Sequence, residues 1–304
     1  MVLGLTRSRD RAALFSRADE LDEPIRIGRA ESPYQVLLGL GLATLVPTRG
    51  GAAIVVEDVP GVRVAGLLLQ AGPITSKALI EVGSKVAETD GAARDHPGAG
   101  SSAANPILLA DVFARVGGPG VDPATGLGPA VSAAVMMELN ASNVVLDNVW
   151  LWRADVGNGK RVRDVKHSLV VNGQNVTAYG LAAEHTQSDN VVWNGEGGRV
   201  YFYQAELDGL AHTPGDKTPD FGPNGVAGYR VNALVHRAVG VGVYCWFSSP
   251  GIFVQSGVKV RHKATAAGIT CPFQWVWENA NTPPKGNSTI EHAILVVDPD
   301  NGIF

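Results

Sequence analysis

The feature that most narrows the fold of this chain is a repeated unit. The stretches EDVPGVRVAGLLL, LNASNVVLDNVWLW, VNGQNVTAYGLAAE, NGEGGRVYFYQAE and VNALVHRAVGVGVY share one layout. Each reads as a short strand, a polar or glycine turn, then a valine opening another strand. Aligned on Val62, Val144, Val176, Val200, Val235 and Val258, the steps are 82, 32, 24, 35 and 23 residues. Steps near 24 fit one supersecondary unit repeated by stacking. The step of 82 holds at least one more unit together with GSKVAETDGAARDHPGAGSSAANP and VGGPGVDPATGLGPA, which read as surface loops. An all-strand unit of this length, with inward valines and asparagine at its turns, predicts an all-β chain wound as a single-stranded, right-handed parallel β-helix. Its coils pair about 4.8 Å apart and bury near-continuous apolar runs. A β-sandwich also uses many short strands, but the recurring Asn/Gly-then-Val unit favours the β-helix. The helix is expected from about Tyr34 to about residue 296, with Val144, Val176, Val200 and Val235 on one inward row.

Composition agrees with a turn-rich β chain. Glycine is 37 of 304 residues and charged residues are 18%, against about 7% and about 25% in ordinary domains. The net charge is −4 without a basic run, which argues against a nucleic-acid partner. No apolar run reaches about 18 residues, so no membrane-spanning helix is expected. Residues 1–32 differ from the rest, being polar and rich in Arg, Asp and Glu. They read as a poorly packed N-terminal segment forming a loose helix, and residues 33–304 as the β-helix domain. The start lacks an apolar stretch followed by a small-residue cleavage site, so no secretion signal is read in it. Cys245 and Cys271 make no disulfide framework and no metal-type spacing; one bridge or two free thiols both fit.

Residues 184–206 read EHTQSDNVVWNGEGGRVYFYQAE. Glu184 lies eight residues after Val176 and Glu206 six after Val200, which puts them on adjacent coils two residues out of register. The expected Cα separation is roughly 8 Å. Two carboxylates in one groove are the minimum equipment for glycoside hydrolysis, one protonated to donate and one charged to activate water or attack. The competing reading is two solvated surface glutamates. Asp155 fits a sugar contact or, with Asn158, an Asx turn before glycine. Trp150, Trp152, Trp193, Tyr201, Tyr203 and Trp246 are sugar-stacking candidates or core aromatics. On a straight strand Phe202, Gln204 and Glu206 share one face, with Tyr201 and Tyr203 on the other. An unpaired Glu cannot sit in an aliphatic core. So either the tyrosines point inward or the strand turns a corner before Gln204. No phosphate loop, zinc motif or cofactor motif occurs, and neither a cofactor nor a metal is expected.

The stretch AAEHTQSDNVVWNGEGGRVYFYQAE resembles the active-site region of glycoside hydrolase family 55, the exo-β-1,3-glucanases. The resemblance rests on Glu184–His185, on Gln204–Ala205–Glu206 one coil later, and on WLWRAD, residues 150–155, one coil earlier. A closer resemblance, over roughly residues 34–304, is to actinobacterial proteins of the same pectin-lyase-like β-helix. The family implies Glu206 as general acid, with Glu184 and nearby polar groups holding or activating water, and inversion at the anomeric carbon. Gln204, His185, Asp155, Trp152 and Trp193 are candidate substrate contacts, the resembling family is secreted, and the expected partner is a polysaccharide or oligosaccharide. Two departures stand out. LDGLAHTP follows Glu206 where the family runs on with Thr-Pro-Tyr-Tyr. The family also carries two β-helices side by side, and this sequence resembles only the second.

Three functions therefore compete. The first is hydrolysis of a neutral, β-1,3-glucan-like polysaccharide. The second is a non-catalytic carbohydrate-binding or structural β-helix, the product of a truncated gene. The third, a polysaccharide lyase, requires a Lys or Arg base and usually cations, and no acidic cluster suited to Ca²⁺ is seen.

Overall fold

A computed structural model describes residues 12–15, 19–84, 100–118, 130–154, 163–208, 226–247, 253–278, 289–298 and 302–303. The described parts of the chain alternate between two ten-stranded sheets. The first sheet runs, strand beside strand, through Ala12–Phe15, Val36–Pro47, Arg63–Gln70, Ile107–Val116, Val144–Arg153, Thr177–Glu184, Gly198–Leu207, His236–Phe247 and Ile269–Glu278. Asp19–Leu21 also pairs with Val36–Pro47. The second runs through Ile25–Ile27, Ile54–Val56, Ser76–Val82, Val131–Leu139, Arg163–Val171, Val191–Trp193, Tyr229–Val231, Phe253–Val260 and Thr289–Asp298. Among the named strands only Gly302–Ile303, at the end of the second sheet, pairs antiparallel, and the other strand pairs are parallel. Each turn of the chain thus adds one strand to each sheet, which is a parallel β-helix. The inward residues of both sheets form one aliphatic column from Ile27 to Ile290.

The pairing registers refine the repeat. Val62, Ile107, Val144 and Val176 lie on one buried row. Ile107 belongs to the extra unit required by the step of 82. Beyond Val176 the row continues through Gly198 and His236 rather than through Val200 and Val235. Val200 is buried but pairs with Ala178, two positions on. Val235 is 60% exposed, in the turn before its strand, and Val258 lies in the second sheet opposite Tyr229. Valine at these places follows local β preference, which is the same on either side of a turn. The coil between Glu184 and Glu206 is consequently 22 residues, and no offset separates them.

The described part of residues 1–32 holds three short strands and no helix. Ala12–Phe15, Asp19–Leu21 and Ile25–Ile27 pair with strands on the far side of the boundary expected at residue 33, and Ile27 joins the core. Parallel pairing gives even a polar segment its backbone bonds. Much of both long loops, residues 85–99 and 119–129, lies outside the described residues. Both cysteines are free, Cys245 buried and Cys271 exposed.

Two devices shape the coils. Asparagine follows the second-sheet strands on four coils, and Asn232, Asn194, Asn172 and Asn140 pass side-chain hydrogen bonds down the stack at 2.7, 2.8 and 2.8 Å. In the first sheet the seven strands from Arg63–Gln70 to Ile269–Glu278 each turn a corner at a left-handed residue. Gly66, Asp111, Asn148, Gly180, Phe202, Gly240 and Cys271 all have φ between 51° and 70° and stack in register. The corner flips the in/out alternation, so residues beyond it face outward at the opposite parity.

Candidate active site

The corner settles the facing of the residues before Glu206. Phe202 has φ +65°, a conformation that costs a bulky side chain energy. Tyr201 and Phe202 point out, Tyr203 points in, and Gln204 and Glu206 point out again. Tyr203 is buried and donates to the Gly228 carbonyl at 2.6 Å.

Glu184 and Glu206 are direct partners on neighbouring parallel strands. Their Cα atoms are therefore one strand spacing apart, about 4.8 Å, closer than the separation expected from the sequence. Behind them, buried Asn190 donates to the carbonyls of both Ala183 and Glu206 at 2.8 Å, and accepts from Thr186 Oγ1 at 2.7 Å. This clamp ties the ends of the two strands together from inside the coil.

The two carboxyl groups have different surroundings. Glu184 is nearly buried and accepts from Trp150 Nε1 at 2.9 Å. Burial pushes its pKa up, and Glu206 adds to this. The Trp150 and Gln204 hydrogen bonds and nearby His185 pull the other way, and the balance stays raised. The Glu206 side chain is 19% exposed, with Oε1 3.2 Å from His185 Nε2. The other ring nitrogen, Nδ1, is 3.3 Å from the Arg153 carbonyl, which can only accept. Nδ1 therefore carries a hydrogen. When the ring is protonated, Nε2 donates to the Glu206 carboxylate.

Below this pair sits an inward arginine. Arg153 Nη1 donates to Asp208 Oδ2 at 2.6 Å and to the His185 carbonyl at 3.0 Å, both side chains of the ion pair being buried. The pair fixes the backbone at His185, itself left-handed with φ +64°. Arg153, Asp208 and Asn190 were missed in the sequence. Arg153 and Leu207 end their strands one position past the Trp152–Glu184–Glu206 row, which is invisible until the register is known.

The other expected residues divide. Gln204 stands on the outward face and donates to Tyr244 Oη at 3.0 Å. Trp152 is half-buried, pairs in register with Glu184, and stacks on Trp150 with ring centres 5.3 Å apart. Trp193 must be corrected: it is fully buried in the core against Tyr229 and His236, where no sugar reaches. A three-residue strand of the second sheet, bounded by the asparagine ladder, turns that indole inward. Asp155 and Asn158 lie outside the described residues. Among the described residues no group of three or more His, Cys, Asp or Glu side chains is placed to hold a metal ion.

The family model of the LAM55 pectate lyase-like domain matches residues 18–206. The chain is 37% identical over 294 residues to an exo-beta-1,3-glucanase of Streptomyces sp. (strain SirexAA-E / ActE), a match covering 90% of this chain and 44% of that protein. Its fold is similar to that of sacteLam55A from Streptomyces sp. SirexAA-E, with a TM-score of 0.66 and 38% identity over 83% of this chain and 42% of the other. The same figures hold for a glutamate-to-alanine variant of sacteLam55A in complex with glucose. The chain spans less than half the length of these relatives.

Proposed function

The chain belongs to the LAM55 pectate lyase-like domain family, and on that premise we propose that it hydrolyses a β-1,3-glucan-like polysaccharide, with Glu206 as general acid and Glu184 as the base that holds water. The observation that carries this reading is the in-register pair of outward glutamates, one of them 3.2 Å from His185 Nε2. Glu206 is the more exposed carboxyl, open to a leaving oxygen. Burial makes Glu184 a stronger base, while Trp150 and Gln204 favour its charged form. Base strength of this kind speeds removal of a proton from water.

Inversion requires room for that water, with carboxyl groups about 6.5–9.5 Å apart. Each glutamate leans toward the preceding coil, Glu184 to Trp150 and Glu206 to His185, and inversion requires the two carboxyl groups to part from their in-register Cα spacing of about 4.8 Å. We take the coil as right-handed, as parallel crossovers almost always are. A second reading, a non-catalytic carbohydrate-binding module, draws support from the stacked outward aromatic pairs Trp150–Trp152 and Tyr179–Tyr201.

The test is Glu206→Gln on laminarin. Turnover should fall roughly 10²-fold or more, with unchanged thermal stability. An activated aryl β-glucoside, which needs less protonation of its leaving group, should lose much less. The first product released by wild type should be the α-anomer by NMR. Wild type that retains laminarin in a pull-down but hydrolyses no β-glucan would select the binding-module reading.

A further inference from the structure

The row that carries both carboxylates, and the Gln204 row beside it, continue past them. In register, Glu206 is followed by Tyr244 and then Trp275, and Gln204 by Gly242 and then Phe273. Phe273 and Trp275 are 58% and 53% exposed and stack on each other, with ring centres 6.4 Å apart and planes 12° from parallel. They stand two strands from Gln204 and Glu206, about 10 Å away.

Gly242 between them is a glycine that neither backbone nor packing requires. Its φ is not in the left-handed region, unlike that of Gly240 two residues earlier. A Cβ there would meet only the Tyr203 carbonyl at 3.8 Å and Phe273 Cδ1 at 3.9 Å, both ordinary contacts. A glycine inside a strand costs stability. What its missing side chain supplies is an opening on the outer face. Gln204 and Tyr244, joined by a hydrogen bond of 3.0 Å, border the opening with polar atoms. The Phe273 and Trp275 rings border it with apolar surface.

From this, and resting on the glucanase reading, we infer that the Gly242 opening is a saccharide subsite, taking a neutral glucosyl unit of the polysaccharide beyond the one held at Glu184 and Glu206. Ring faces suit the apolar face of a pyranose, while the amide and phenol suit its hydroxyls. None of the four bordering side chains carries a charge, which selects against uronates. The subsite extends the carboxylate groove along the helix axis, so it acts on chains and not on single sugars.

Calorimetry in a Glu206→Gln background, where no turnover intervenes, tests it. Laminaritetraose should bind, and Gly242→Leu and Trp275→Ala should each weaken that binding tenfold or more, while glucose binding changes less than twofold. Gly242→Leu places a side chain on an outward strand position, so its thermal melt should match the parent. If the tetraose binds equally well to all three proteins, the subsite is overturned and the glucanase reading stands. If the Glu206→Gln chain binds no β-glucan oligosaccharide, both fall. Tighter binding of an oligogalacturonate than of laminaritetraose would overturn the assigned sugar class.

Discussion

Two lines of side chains run along this β-helix, and they use the same backbone repeat differently. One is Asn140, Asn172, Asn194 and Asn232, the same residue at the same turn on four coils. The other is Trp152, Glu184, Glu206, Tyr244 and Trp275, in register across five coils, with the chemistry changing along the row. A ladder of identical amides satisfies itself, because each donates to one neighbour and accepts from the other. A row of unlike residues gains nothing comparable from stacking, and two of its members are adjacent carboxylates. In a stacked fold, repetition marks what holds the coils together, and departure from repetition on an outer face marks what the coils do.

The largest effect that would test this contrast is on turnover. Glu184→Gln should lower laminarin hydrolysis roughly 10²-fold or more while leaving the melting temperature equal or higher, since a nearly buried carboxyl is replaced by a neutral amide. A loss of stability as large as the loss of activity would erase the distinction between the rows.

The ladder should behave in reverse. Asn172→Ala leaves Asn140 Oδ1 and Asn194 Nδ2 without their partners and should cost about 1–3 kcal/mol in chemical denaturation. The folded protein should keep its turnover. An Asn172→Ala protein with an unshifted denaturation midpoint would reduce the ladder to a by-product of sequence duplication.

A third departure lies in the core. The buried row Val62, Ile107, Val144, Val176 ends in Gly198 and His236, and the missing Cβ of Gly198 leaves room for the Trp193 and His236 rings. Burial lowers the His236 pKa from 6.5 to about 3. The unfolded chain therefore takes up this proton first as pH falls. The stability is fully present above pH 6.5 and is lost between 6.5 and about 3, at up to about 1.4 kcal/mol per pH unit. Denaturation at pH 7, 5.5 and 4 should show this slope in wild type and a shallower one in His236→Gln. Equal slopes would assign the acid sensitivity elsewhere.

The smallest effect concerns the corner row. Gly66, Asp111, Asn148, Gly180 and Gly240 suit a left-handed position, whereas Phe202 does not. Phe202→Asn should raise stability by about 1 kcal/mol, as read by thermal melts, and should leave Gln204 and Glu206 facing outward. A drop in stability would mean that the exposed Phe202 ring packs more strongly than its backbone is strained.

Much of the fold is legible in the sequence. Strand-turn-valine units announced stacked parallel coils because β-branched residues and turn formers recur together wherever a coil closes. Register was not legible. Val200 and Val235 resemble Val144 and Val176 in local sequence, yet one sits two positions along the strand and the other outside the core. The segment before residue 33 looked too polar to pack. Backbone pairing with the next coil is indifferent to that polarity, and its described part forms strands. Trp193 and Trp150 look alike as strand tryptophans; one is sealed in the core and the other holds Glu184.

By itself the sequence determined that this chain winds as stacked coils, that Glu184 and Glu206 fall on neighbouring ones, and which family of β-helices it resembles. Those properties follow from local patterning repeated along the chain. The tertiary structure alone decided that the two glutamates share one register, that a left-handed phenylalanine turns Gln204 and Glu206 outward, and that Asn190 and the Arg153–Asp208 pair brace them from within. Residues far apart in sequence become neighbours there only through the length of each intervening coil, and one residue more or fewer in a turn would put a carboxylate on the other face of its strand.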